Sequence, residues 1–319
     1  MQSDTILILG AGGQIGTELT MELRKVHGGA NVIAADIRNA APEVMESGPF
    51  ELVDVSDAKR LAEVIDQYKV TQVYHLVALL SATSERIGVP AWHLNMNSLF
   101  EVMELCVSRG IKKLFWPSSI AVFGPTTPKA NVPQQTVIEP TTIYGMSKYA
   151  GELWCDYFFK KKGLDVRSIR YPGLIGYKSA PGGGTTDYAV EIFYAAKQSK
   201  QYTCFLNAES RLPMMYMPDA IRATLQLMEA PAEKLSIRHS YNITGIDFTP
   251  AELAIAIQQE IPDFTIDYKP DFHQAIADSW PGSIDGSWAK NDWGWVPQYD
   301  LQGMVKDMLV NIPVPTATV

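Results

Sequence analysis

Two rhythms of hydrophobic positions follow one another along the first half of the chain. Residues 5–9 form a short, unbroken β-branched and aliphatic run, which predicts a strand buried on both faces. Past a glycine-rich turn, Ile15, Leu19, Leu23 and Val26 recur at helical spacing. A second strand is predicted over residues 31–35, ending at Asp36, and a third over 51–53, ending at Asp54. The third leads into a helix with Leu61, Val64 and Ile65 on its apolar face. The pattern then predicts a strand at 72–77, a long helix at 92–107, a strand at 111–116, a helix at 144–161 and a strand at 166–169. Strands alternating with helices pair in parallel through right-handed crossovers. The expected fold class is α/β, a doubly wound parallel sheet of the Rossmann type.

Beyond Tyr171 the rhythm loosens. Pro181-Gly182-Gly183-Gly184 is a loop signal, followed by a helix at 187–196, a strand at 214–217, a helix at 219–228 and a strand at 241–244. Trp280, Trp288, Trp293 and Trp295 make the last segment aromatic-rich. The expected division is a dinucleotide-binding domain over residues 1–172 and a smaller, mainly substrate-binding lobe over 173–319. Whether parts of that lobe return to the main sheet is left open. No internal repeat is evident.

Composition narrows the choice of partners. The chain of 319 residues carries 35 acidic against 27 basic side chains, a formal charge of -8, with no basic block. That argues against nucleic acid and anionic membrane surfaces and for a small-molecule partner. Cys106, Cys155 and Cys204 are too scattered for a disulfide framework or a zinc site, and no metal is expected. No apolar run is long enough to span a bilayer, and Met1-Gln2-Ser3-Asp4 passes almost directly into a strand. The expected location is the cytoplasm.

Candidate chemistry begins at the first turn. Gly10-Ala11-Gly12-Gly13-Gln14-Ile15-Gly16 fits G-x-x-G-x-x-G between a strand and a helix. Glycines there permit a tight turn, backbone approach to a pyrophosphate and close packing of helix on strand, and the helix N-terminus attracts phosphate. Asp36 ends the second strand about twenty residues later, where a carboxylate binds adenosine ribose hydroxyls and repels a 2′-phosphate. NAD is therefore favoured, a preference that Arg38 tempers. Asp54 and Val55 are placed to meet the adenine, unless Asp54 caps the next helix.

Tyr144-Gly145-Met146-Ser147-Lys148 opens a long helix, so the phenol and the ammonium share one face. The Lys148 charge and the positive nicotinamide ring are together expected to lower the phenol's high proton affinity and make Tyr144 a usable base. Ser118 and Ser119 follow a strand at the carboxyl edge of the sheet, where a hydroxyl can hold a reacting oxygen. Ser119 has the better spacing, with Ser118 as a second contact. Taken alone, a Tyr-x-x-x-Lys is common and usually structural.

With the glycine turn, Asp36 and the strand-end serine in this order, the pair resembles the short-chain dehydrogenase/reductase superfamily, and at this length its extended branch. The resemblance implies that Gly10, Gly13 and Gly16 meet the pyrophosphate and that Ser119, Tyr144 and Lys148 carry catalysis. It also implies that Gln14, Ile15, Leu76, Ala78 and Tyr171 join Tyr144 and Lys148 in holding the cofactor. In the second half, Arg170-Tyr171-Pro172-Gly173-Leu174-Ile175-Gly176, Gly182-Gly183-Gly184-Thr185-Thr186-Asp187-Tyr188 and Arg211-Leu212-Pro213-Met214-Met215-Tyr216-Met217-Pro218-Asp219 resemble the short-chain-type L-threonine 3-dehydrogenases. That family oxidises threonine's β-hydroxyl with NAD to 2-amino-3-ketobutyrate. The resemblance implies that Ser81, Thr185 and Thr186 bind the amino acid alongside Ser118, Ser119 and Tyr144.

Plainer readings stand beside these. Thr185 and Thr186 also suit caps for the helix that opens near Asp187, and Ser81 a loop hydroxyl. Arg211 is either a partner for a substrate carboxylate or half of a surface ion pair. His75 reads as a core imidazole, and Trp280 as packing or as a pocket wall. The competing functions are a nucleotide-sugar epimerase or reductase, which needs basic residues for two phosphates, and a non-catalytic dinucleotide sensor. Extended members commonly pair through two helices, so a homodimer built on the helices at 92–107 and 144–161 is expected.

Overall fold

The computed structural model describes residues 4–313. Met1–Ser3, where the sequence predicts no leader segment, lie outside the described residues. The strands of the first half are β1 (Ile6–Leu9), β2 (Val32–Asp36), β3 (Phe50–Leu52), β4 (Gln72–His75), β5 (Lys113–Phe115), the two-residue β6 (Ser118–Ser119) and β7 (Asp165–Arg167). Between them run helices α1 (Gln14–His27), α2 (Pro42–Glu46), α3 (Ala58–Tyr68), α4 (Ser81–Ile87), α5 (Val89–Ser108) and α6 (Ile143–Tyr157).

Six of these strands form one sheet in the order β3-β2-β1-β4-β5-β7, every pair parallel. Alternation along β1 explains why both faces must be covered. Ile6 and Ile8 pack with Leu19 and Leu23 of α1, whereas Leu7 and Leu9 pack with Leu61 and Val64 of α3 and Leu99 of α5. The strand order reverses between β1 and β4, and a doubly wound sheet opens its ligand crevice at the carboxyl ends of such a pair.

The second half contributes β8 (Ile169–Tyr171), β9 (Gly173–Ile175), α7 (Tyr188–Gln198), β10 (Gln201–Cys204), β11 (Leu212–Tyr216), α8 (Met217–Glu229), β12 (Tyr241–Asn242) and β13 (Ile246–Phe248). It ends with α9 (Pro250–Glu260), β14 (Thr265–Tyr268), α10 (Phe272–Ser279), α11 (Ser287–Trp293) and α12 (Leu301–Asn311). These make three small sheets, β6-β8-β12, β9-β11-β13 and β10-β14. The strand predicted at 166–169 is divided. Up to Arg167 the chain pairs with β5; the carbonyl of Ser168 then accepts from Tyr241, and Ile169 pairs with β12 instead. The helix predicted to run to residue 161 stays α-helical to Tyr157 and closes in a wider π turn over Phe158–Lys162.

The short α4 was not predicted because its buried residues are Ser81 and Ser84, which give no apolar stripe. Asp54 is not the cap of α3. Asp57 holds that place and accepts from the Arg60 N–H, while Asp54 turns to Ser56. No described helix is long and apolar enough to cross a membrane.

The helix that matters most for the site, α6, begins at Thr142, whose hydroxyl accepts the Gly145 N–H at 3.0 Å. A second restraint comes from Glu85 on α4, which accepts the Ile143 N–H at 2.6 Å. Removing the cap with Thr142→Ala is expected to cost about 1 kcal/mol of stability, read as a lower urea midpoint at unchanged slope.

Candidate active site

The crevice begins where β1 runs out. Gly10 has φ +87°, a conformation that side chains disfavour. A Cβ on Gly16 would lie 2.1 Å from the Gly10 carbonyl oxygen, so α1 can rest against the turn only with glycine there. No side chain caps α1 and its first turn holds no acid, leaving its N-terminus for an anion. Asp36 accepts the Gly12 N–H at 2.9 Å and the Arg38 N–H at 3.3 Å, which fixes its carboxylate beside the turn. Gly10, Gly13, Asp36, Arg38, Asp54 and Val55 line one hollow that reaches Leu76 and Ala78. Hydrogen bonds from Ser56 hold the Asp54 carboxyl below its ordinary range.

Leu76 and Ala78 also border a second hollow, so the two are neighbours. Here α6 presents Tyr144 and Lys148 on one face. Lys148 is 3% exposed, donates to the Pro117 carbonyl at 2.7 Å and lies 4.5 Å from the centre of the Trp116 ring. Its ammonium is 5.5 Å from the centre of the Tyr144 ring. Burial pushes Lys148 down to about 7, opposed by Cys155 and Glu152. Burial pushes Tyr144 up to about 12, opposed by a hydrogen bond with Ser119. The lowering expected from the sequence drew on Lys148 together with a positive nicotinamide ring; in the protein alone, loss of solvent around the phenol dominates.

Ser119 lines the same hollow, and its hydroxyl accepts the Ala121 N–H at 3.2 Å. Ser118 borders the same hollow, and its buried hydroxyl donates to Glu152 at 2.6 Å. Gln14, Ile15 and Tyr171 reach the hollow, although the Tyr171 hydroxyl is bonded to Thr224 on α8.

The far wall comes from α4 and the loop before α7. Ser81, Thr185 and Thr186 all border the hollow, and Trp280 closes one side. The capping alternative for the threonines does not hold: the residue before α7 is Asp187, and no side chain caps the helix. The Asp187 carboxylate instead accepts the N–H groups of Gly183 at 2.7 Å and Gly184 at 2.8 Å. Thr185 is 1% exposed and its hydroxyl has no partner among the described residues. A buried hydroxyl without a partner is costly and calls for a ligand or water.

Arg211 is not part of this wall; it pairs with Glu252 and donates to the Asp247 carbonyl at 2.9 Å. His75 lies in the core, driven by burial to a value of about 3, with Nε2 3.3 Å from the Ser98 hydroxyl. Sequence reasoning passed over the Pro117 carbonyl and the Asp187 clasp. The first leaves no side-chain signal, whereas the second stands in the notable Gly-Gly-Gly-Thr-Thr-Asp run.

Residues 6–244 match the model of the NAD dependent epimerase/dehydratase family. The chain belongs to that family. An uncharacterized epimerase/dehydratase of Staphylococcus saprophyticus is 49% identical over 309 residues, 95% of each chain. Among solved structures, the holo form of a GalE-like L-threonine dehydrogenase from Cupriavidus necator is 55% identical with a TM-score of 0.95, covering 97% of this chain and 100% of that one. An L-threonine dehydrogenase from Clostridium difficile is 47% identical with a TM-score of 0.94 and 98% coverage of both chains. The protein is an enzyme of an NAD-dependent family, and its cofactor is a nicotinamide dinucleotide.

The close glycine contact supplies a test of that cofactor site. Gly16→Ala is expected to weaken dinucleotide binding at least about tenfold in titration calorimetry, because the new methyl group forces α1 away from the Gly10 turn.

Proposed function

We propose that this enzyme is an L-threonine 3-dehydrogenase, oxidising the β-hydroxyl of L-threonine to 2-amino-3-ketobutyrate with NAD. The observation that carries the reading is the second hollow. It brings Ser119, Tyr144 and Lys148 together with Ser81, Thr186 and the unpartnered hydroxyl of Thr185. Short hydroxyls and backbone amides suit a small zwitterion. A nucleotide sugar fits less well, since Lys148 is the one basic side chain lining this hollow and two phosphates ask for more. Asp36 beside the glycine turn favours NAD over its 2′-phosphorylated form. In this reading residues 1–172 hold the dinucleotide and 173–319 mainly the amino acid, with Tyr241–Asn242 returning to pair with β8.

A bound dinucleotide would supply the hydride acceptor and a positively charged ring. Ser119 donates to the reacting oxygen and holds it against Tyr144. Tyr144 takes the hydroxyl proton as general base. Lys148, anchored by Pro117, stabilises the phenolate that abstracts it and binds the nicotinamide ribose. Thr185, Thr186 and Ser81 hold the amino acid's charged groups, and Trp280 excludes water from one side.

Turnover measured as NADH absorbance is expected with L-threonine, to be absent with D-threonine, and to fall at least about a thousandfold in Tyr144→Phe. A protein that binds NAD yet leaves L-threonine unchanged would falsify the assignment. Because the base acts deprotonated and burial raises Tyr144, kcat/KM is expected to climb with pH through the alkaline range and to fall as acidity increases. A profile that declines from pH 7 to 9 would contradict Tyr144 as base.

We further propose that the enzyme is a homodimer joined through α5 and α6. Leu153 (56% exposed), Trp154 (38%) and Tyr157 (44%) form an apolar strip on α6, continued by Phe100 of α5, whose ring is 5.0 Å from that of Trp154. Two such strips related by a twofold axis would cover one another. Light scattering is expected to give twice the chain mass for the native enzyme and a monomer for Leu153→Glu. Three buried free thiols are in keeping with a reducing cytoplasm.

A further inference from the structure

Behind the serine strand lies a charge pair with no part in the chemistry described above. The side chains of Glu152 and Arg170 are each 1% exposed. Arg170 grips the carboxylate with two bonds, Nε to Oε1 at 2.8 Å and Nη2 to Oε2 at 2.7 Å. The same Oε1 accepts the Ser118 hydroxyl at 2.6 Å. The remaining arm of Arg170 donates to Asn242 Oδ1 at 3.0 Å, and Gln134 Oε1 accepts the Asn242 N–H at 2.7 Å. Glu152 stands on α6 one turn beyond Lys148 and two beyond Tyr144, while Ser118 is the neighbour of Ser119 on β6. One carboxylate therefore touches both elements that carry the reacting groups.

Stability alone is a poor account of this pair. Desolvating two charges consumes most of what their attraction returns, and apolar replacements of buried pairs are often neutral or stabilising. We infer that Glu152 is a positioning residue of the catalytic centre, fixing the strand that bears Ser119 against the helix that bears Tyr144 and Lys148. The inference rests on the reading of those three as the reacting groups.

The Glu152 charge also works on Lys148, opposing the loss of its proton on burial. The other groups around the pair do not replace it. Arg170 on β8 is a cation; Cys155 on α6 is driven by burial towards the neutral thiol. His239, which precedes β12, and His75 on β4 are both driven by burial towards the neutral ring. Tyr144 is held protonated in the same way.

The test compares the full-length wild type with Ser118→Ala, Glu152→Gln and the double variant, using L-threonine and NAD. A small misplacement of a reacting group costs up to about a hundredfold in rate. We expect kcat to fall about tenfold in Ser118→Ala and about a hundredfold in Glu152→Gln, with KM and NAD affinity nearly unchanged. The double variant should be no slower than Glu152→Gln, because both changes break one contact. Wild-type kcat in Ser118→Ala, or losses that multiply in the double variant, would overturn the inference. A pair that merely holds the fold would lower the melting temperature and leave kcat per folded molecule intact.

A second readout needs no turnover. In protein labelled with nitrogen-15 lysine, the Lys148 Nζ resonance, assigned through Lys148→Met, is followed against pH. Its midpoint should fall in Glu152→Gln, because the carboxylate that opposes the loss of the proton is gone. An unmoved midpoint defeats the inference whatever the substrate proves to be. A shifted midpoint in a wild-type enzyme that ignores L-threonine supports it and counts against the substrate reading alone. Should Glu152→Gln fail to fold, Ser118→Ala, which leaves the ion pair whole, decides the matter.

Discussion

An ammonium group with almost no access to water must be solvated by the protein, and that demand organises the centre of this molecule. Lys148 is 3% exposed. Its partners are the Pro117 carbonyl, the face of Trp116 and the edge of a site shared with Tyr144. Pro117 and Trp116 lie between β5 and β6, so the lysine fixes α6 against the end of the parallel sheet and against the serine strand together. Gly151 makes this possible, since a Cβ there would come within 2.3 Å of the Trp116 ring. The indole can then lie over the helix and under the ammonium. Moving any one of these elements would leave a buried cation without its partners, which costs several kcal/mol.

Much of this arrangement was legible in the sequence because it follows periodicity. The alternation of strands and helices gave the parallel sheet, and the spacing of Tyr144 and Lys148 placed both on one face. What escaped notice obeyed other rules. Helix α4 buries serines, so no hydrophobic stripe announces it. The division at Ser168 depends on a strand seventy residues away in the chain, a pairing that local pattern does not encode. Helix α9 did carry a readable signal, Thr249-Pro250-Ala251-Glu252, a reciprocal capping box with proline in the first turn. The partner of Ser118 escaped for a related reason: two adjacent strand-end hydroxyls look alike in sequence, and only the fold brings the first of them to Glu152.

The electrostatics of the site follow from its being closed. Burial drives Tyr144 and Lys148 in opposite directions, towards about 12 and about 7, so each is pushed towards its neutral form. On the proposed mechanism, a positive ring bound near the phenol would favour its ionised form, so part of the charge needed for base catalysis would come from the cofactor.

The same logic applies to the amino-acid side of the hollow. Asp187 spends its carboxylate on the N–H groups of Gly183 and Gly184, holding a loop whose Gly183 has φ +84°. That clasp leaves the neighbouring Thr185 hydroxyl buried with no partner among the described residues. Were Thr185 the helix cap, its hydroxyl would be satisfied by backbone and the wall would be inert. Because Asp187 takes over the ordering of the loop, the Thr185 hydroxyl is left without that partner at the wall of the hollow. The cost of an unsatisfied buried hydroxyl is recovered when a water or a polar ligand meets it. This favours a small ligand rich in hydrogen-bonding groups over an apolar one of equal size.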